Sequence, residues 1–174
     1  MSRHKPEPLQ KYRKAKPTNR RTVIYIFCNG QTEKSYFEGL KSSLRLPAYQ
    51  VVEVLASEYN RLSLVSYVKN RLGSEGIKPI EGDRRVWVVF DVDSLSKGRQ
   101  PDPKEIERQA DAAVALCRRL NYQWAVSNDC FELWLLLHFD YCQSHLHRDD
   151  LLKKIKKKIP EFKKTNYLYE DYLH

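Results

Sequence analysis

Four short apolar runs, each followed by a stretch with helical spacing, constrain this chain more than any other feature. Thr22–Cys28 (TVIYIFC) is continuous, apolar and β-rich. It is too short for a typical helix and reads as a strand buried on both faces. Asn29-Gly30-Gln31 breaks it as a turn, and Thr32 stands where an N-cap would. Glu33 to Leu44 then shows helical spacing through Tyr36, Phe37, Leu40 and Leu44. Tyr49–Leu55 reads as a second strand, and Leu62, Val65, Val68 and Leu72 mark a second helix stopped by Gly73. Val86–Phe90 (VWVVF) is a third strand. After a polar connection, Ser94–Pro103, the spacing predicts an amphipathic helix over Lys104–Leu120. Tyr122–Val126 is a short fourth strand. Ser127-Asn128-Asp129 makes a turn with N-cap chemistry before Cys130–Phe139, a helix apolar nearly all round and therefore expected to be buried. Arg148–Ile159 is a basic helix ended by Pro160. Alternation of strand and helix, with strands apolar on both faces, predicts an α/β domain: a mainly parallel four-stranded sheet flanked by helices.

In such sheets ligands bind beyond the C-terminal ends of the strands. Three strand ends carry acids or a near relative: Asn29, Gly30 and Glu33 after the first, Asp91 and Asp93 after the third, Asp129 and Glu132 after the fourth. Asp91 and Asp93 are two apart, so in extended backbone their side chains share a face. Paired carboxylates are hard oxygen ligands suited to Mg²⁺ or Mn²⁺. Each feature also has a plain structural reading: an Asx cap for the Asp pair, a dipole-favoured first-turn acid for Glu33, a salt bridge for Glu132. Glu132 lies among Cys130, Phe131, Leu133, Trp134 and Leu135, where a carboxylate is costly unless paired or metal-bound. His138 reads as a hydrogen-bonded core histidine, while His145 and His147 have no partners at metal spacing. Asn-Gly-Gln-Thr-Glu lacks the lysine of a phosphate-binding loop. The four cysteines, at 28, 117, 130 and 142, form no CxxC pair and suggest neither a disulfide framework nor a zinc site.

Charge is distributed in blocks. Met1 to Arg21 holds eight Lys/Arg and one acid, and Arg148 to Lys164 holds eight Lys/Arg and three acids. Between them the chain is almost neutral, although its overall formal charge is +9. Basic flanks on a neutral body suit a polyanion, with nucleic acid the first expectation. The candidate contacts are Arg13, Lys14 and Lys16 in the first flank and Lys153, Lys154, Lys156, Lys157 and Lys158 in the second. Residues 1–20, polar and proline-dotted, read as a flexible basic arm, and residues 21–174 as the folded domain. The N-terminus lacks the apolar run of a signal peptide, and no stretch approaches the ~18 apolar residues of a membrane span. A cytoplasmic location is the expectation.

Three blocks carry a family resemblance. They are Cys28-Asn29-Gly30-Gln31-Thr32-Glu33-Lys34-Ser35-Tyr36-Phe37, then Trp87-Val88-Val89-Phe90-Asp91-Val92-Asp93, then Ser127 through Phe139 (SNDCFELWLLLHF). In order and separation they resemble the RloB-like family over roughly residues 20–170. That family is associated with bacterial phage-defence and restriction-modification neighbourhoods. The resemblance implies a three-layer, Rossmann-like domain of the Toprim type, in which a Glu after the first strand acts as acid or base and a DxD after a later strand binds Mg²⁺. Asp91 and Asp93 match the DxD, and Glu33 matches the second acid of the family's first block. The first acid of that block falls on Asn29, whose amide does not shuttle protons at neutral pH. The resemblance thus implies a Mg²⁺- or Mn²⁺-dependent nuclease, or a related phosphoryl-transfer protein, acting on DNA or RNA. Glu33, Asp91, Asp93 and Glu132 would be its catalytic and metal-binding residues, with an ATPase as partner protein. The alternative, favoured by Asn29, is a catalytically impaired defence component that binds nucleic acid or a partner. The chain ends soon after Tyr172, which implies a missing C-terminal helix. A dehalogenase-type phosphatase or a glycosyltransferase fits less well, because here the DxD follows the third strand and reads DVDSL.

Overall fold

The computed structural model describes residues 23–45, 61–77, 84–92, 102–128, 130–144 and 146–162, and the backbone of 49–53. Strand β1 (Val23–Cys28) is followed by helix α1 (Gln31–Ser43), strand β2 (Tyr49–Glu53) and helix α2 (Arg61–Ser74). Strand β3 (Arg84–Asp91), helix α3 (Pro103–Leu120), strand β4 (Gln123–Ser127) and helices α4 (Glu132–Leu137) and α5 (Arg148–Lys158) complete the order. The strands pair in parallel in the order β2-β1-β3-β4. Side chains are described for β1, β3 and β4. The edge strand β2 is described by its backbone, which pairs with β1 from Ile24↔Tyr49 to Cys28↔Glu53. A parallel sheet flanked by helices is the expected architecture.

Period-two alternation sorts the side chains into two layers. Tyr25 and Phe27 of β1, and Val86, Val88 and Phe90 of β3, pack with Leu64, Val65, Val68 and Leu72 of α2 and Ala113 and Cys117 of α3. Ile26, Cys28 and Val89 face the other way. They meet Tyr36 of α1, Leu135 and Leu136 of α4, and Leu151 and Ile155 of α5. So α2 and α3 cover one face while α1, α4 and α5 cover the other. Each buried Leu, Val or Phe contributes about 1.5–3 kcal/mol of transfer free energy, and both layers draw on the same strands.

Several element boundaries differ from the sequence expectation. Helix α1 starts at Gln31 with Gly30 as N-cap, so Thr32 is buried inside the first turn rather than standing at the N-cap. Gly73 does not stop α2, which runs to Ser74; Gly76, at φ 64°, makes the turn. Helix α3 takes in Pro103 at its start, where a missing N–H costs nothing, and Asp102 caps it by accepting from the Lys104 amide at 3.0 Å. The largest correction is α4. It is six residues rather than ten, and it is not buried all round: Trp134 and Leu137 are each 42% exposed. Apolar residues outnumber the positions that α1, α5 and the sheet can cover, so the surplus faces water. Among the described residues no helix is long and apolar enough to cross a membrane.

Candidate strand-end site

Parallel pairing brings the strand ends to one edge. Cys28 lies beside Val89, and Asp91 beside Ser127. The Val92 amide donates to the Ser127 carbonyl at 2.8 Å and extends the β3–β4 ladder one step past the strand. The strand order adds a fact that the sequence did not contain. From β1 the chain leaves to α1 on one face, and from β3 it leaves to α3 on the opposite face. The ends of β1 and β3 therefore flank a topological switch point, the usual ligand crevice of an open parallel sheet.

Asp91, the last residue of β3, is half-buried, and alternation with Val89 turns its side chain toward the α1/α4/α5 layer. Glu132 opens α4 and is 2% exposed. Glu33, the third residue of α1, is 7% exposed. Its carboxylate folds back over Gly30, where an added Cβ would lie only 2.8 Å from Cδ and 2.9 Å from Oε1. Asn29 is half-buried in the turn between β1 and α1.

Cys130 connects these groups. Its thiol is fully buried, and its pKa is pushed up to about 12. Burial is the main cause, followed by the hydrogen bond to the Glu132 carboxylate and the charge of that group. A hydrogen bond from Arg148 opposes the rise, and the Asp91 charge adds slightly to it. Glu132, Arg148 and Asp91 thus all act on one thiol, which stays protonated at neutral pH and is a poor ligand for a hard cation.

Two arginines at this edge escaped the sequence reading. Arg61, 3% exposed, opens α2, and its Nε donates to the Asp91 carbonyl at 2.8 Å. Arg148 opens α5 and turns inward to Cys130. Both stand at helix N-termini, where the macrodipole disfavours a cation. That misfit was the available signal: a cation in that position needs an acceptor that offsets the dipole, and for Arg61 this is the Asp91 carbonyl and for Arg148 the Cys130 thiol.

Other assignments stand as follows. Asp93 and Asp129, and Arg13, Lys14 and Lys16, lie outside the described residues. Lys153, Lys154, Lys156, Lys157 and Lys158 are all exposed on α5. Lys153 pairs with Asp150 at 3.0 Å and Lys158 with Asp140 at 2.9 Å. His138 is hydrogen-bonded, its Nε2 lying 3.0 Å from the Tyr36 hydroxyl, but it is exposed at the rim of the core rather than inside it. Partial burial holds its pKa below the usual histidine value. Cys28, Cys117 and Cys130 are buried, and none of the four cysteines is in a disulfide.

The donors fit a hard divalent cation in kind, being carboxylates. In number the described residues fall short: no group of three or more His, Cys, Asp or Glu among them is gathered closely enough to hold a metal ion. Together, fold and edge define a class: an α/β protein with a parallel sheet and carboxylates at its switch point. Within that class, the model of the RloB-like protein family matches residues 24–174. The chain belongs to the RloB-like family. No curated protein matches it.

Proposed function

We propose that this chain is a divalent-metal-dependent nuclease, or a related phosphoryl-transfer protein, with a Toprim-type fold, acting on DNA or RNA in the bacterial cytoplasm as part of an anti-phage, restriction-modification-linked system. One observation carries the reading. Glu33 and Glu132, both buried, and half-buried Asp91 stand at the C-terminal edge of one parallel sheet beside its switch point, with Arg61 on the Asp91 carbonyl and Arg148 on the Cys130 thiol. Asp91 and Asp93 would hold Mg²⁺ or Mn²⁺, with Glu33 completing the set. A divalent ion there supplies positive charge that polarises a phosphate and lowers the pKa of water. Arg61 fixes the backbone at Asp91 through its carbonyl. Glu132 and Glu33 are the groups able to take or give a proton, and Arg148 sets a cation against phosphate charge. The lysines of α5 and the N-terminal arm would hold the nucleic-acid backbone, and an ATPase would be the partner protein.

The test is calorimetric titration with Mg²⁺ and Mn²⁺, followed by cleavage assays on single- and double-stranded DNA and RNA. Asp91→Asn should lose both metal binding and cleavage. Metal affinity unchanged in Asp91→Asn would overturn the reading.

A second reading is a catalytically impaired component that binds nucleic acid or a partner, and Asn29 favours it. Asn29→Glu separates the two. It adds a hard anionic ligand and a group able to move protons, so it should raise metal affinity and raise cleavage by about 10²–10⁴-fold. An unmodified protein that already cleaves rapidly would show that Glu33 or Glu132 supplies the proton transfer.

A further inference from the structure

Trp134 is both exposed and anchored. It is 42% exposed, yet its indole N–H donates at 3.0 Å to the hydroxyl of Ser127, which is itself 1% exposed. Ser127 ends β4 beside Asp91 in the ladder. The ring is thus held by its polar edge at the carboxylate-bearing edge of the sheet, while much of its surface meets water. A solvated side chain that is pinned in place loses little further freedom on binding a ligand.

The neighbourhood indicates what such a ligand is. Arg148, at the start of α5, reaches Cys130, just before α4. Lys158, at the end of α5, pairs with Asp140, just after α4. Helix α5 therefore runs in the same sense as the shorter α4 and past both of its ends, about 16 Å against about 9 Å. Positions 154, 157 and 158 share one flank of α5 at i, i+3 and i+4 spacing, and Lys158 brings that flank to Asp140. Tyr141, the next residue, is 85% exposed. Lys154 and Lys157 have no ion pair among the described residues. Exposed aromatic rings beside a lysine-bearing helix flank match the combination used for single strands: π-faces for bases and cations for the phosphates between them.

We propose that Trp134 is a stacking platform for an unpaired nucleobase, and that the strand's backbone runs along the Lys154/Lys157 flank of α5. The substrate class is single-stranded nucleic acid. This inference rests on the nucleic-acid reading above but not on metal chemistry.

The experiment is therefore done in EDTA. Binding of a single-stranded oligothymidylate of about 12 nucleotides, within the usual site size, is measured by fluorescence anisotropy alongside a backbone of equal length made of abasic sites. Trp134→Ala should weaken oligothymidylate binding roughly 5- to 150-fold, the span expected for loss of one base–aromatic stack. Trp134→Phe should keep most of the affinity and confirm that the fold tolerates substitution there. The abasic strand should bind weakly and equally to all three proteins. Equal oligothymidylate affinity for the parent and Trp134→Ala would overturn the proposal while leaving nucleic-acid binding intact. So would an equal loss on the abasic strand, which would mean that the variant disturbs the phosphate site. A parent that binds neither strand would overturn both this and the nucleic-acid reading, while calorimetry with Mg²⁺ would judge the metal site separately. Sedimentation showing self-association abolished by Trp134→Ala, with no oligonucleotide binding, would assign the face to a second copy of the chain and also sink the proposal.

Discussion

At the scale of single residues, Gly30 shows how this edge depends on space. Its backbone is extended, at φ −150° and ψ 155°, which any residue adopts. What glycine provides is room, because Glu33 lies where a Cβ would stand. Gly30→Ala should therefore cost about 1 kcal/mol or less in stability, the usual gap between glycine and alanine as N-caps. It should nevertheless weaken Mg²⁺ binding several-fold by displacing the Glu33 carboxylate. Thermal melts and calorimetry on the same sample check the pair. A large stability loss with unchanged metal affinity would remove Glu33 from the site. The residue scale is also where the sequence was least complete. Arg61 and Arg148 show in the sequence only as cations misplaced at helix starts, and their inward direction follows from partners 30 and 18 positions away in the chain.

At the scale of elements, the hydrophobic spacing located β1, β3, α3 and α5 closely, because each has one clear periodicity. Helix α5 buries Leu151 and Ile155, with Ile159 just past its end, and leaves its lysines in water. Those lysines give the element its prediction. Each phosphate contact on a single strand contributes about −0.7 to the slope of log affinity against log salt. Replacing Lys154, Lys156 and Lys157 by Ala should make that slope shallower by about 2, as measured by anisotropy between low and moderate salt. An unchanged slope would make the α5 lysines a merely solvated face. Helix α4 resisted the same reading. An all-apolar run signals burial only if there are enough neighbours to cover it, and the run itself does not state how many there are.

For the molecule as a whole, two cores share one sheet, so damage far from the site should act on stability alone. Leu72 is buried in the α2/α3 layer, three turns from Arg61 and away from the α1/α4/α5 side that holds Glu33 and Glu132. Leu72→Ala should cost about 2–5 kcal/mol, as cavity-forming core substitutions do, by denaturant unfolding. Magnesium affinity of the fraction that remains folded should stay unchanged. A proportionate loss of metal affinity would show that the strand-end edge is coupled to the far layer. Because β1 and β3 contribute side chains to both layers, unfolding followed by tryptophan fluorescence and by far-ultraviolet circular dichroism should coincide.

The sequence by itself determined the strand–helix alternation, the parallel sheet, and the placement of Glu33, Asp91 and Glu132 after strands. These follow from local spacing: period two for strands, 3.6 for helices, and acids just past the apolar runs. Membership of the RloB-like family was also legible, from the motif blocks around Asn29–Glu33, Phe90–Asp93 and Cys130–Leu135. Only the tertiary structure decided the order β2-β1-β3-β4, and with it the switch point between the ends of β1 and β3. Strand order reflects which apolar faces pack best once all are present, and no local pattern encodes that choice. The same holds for the Trp134 indole pinned to Ser127, the Glu33 carboxylate folded over Gly30, and the two arginines turned toward the edge. Each depends on a partner brought near by folding, so its energy exists only in the assembled domain.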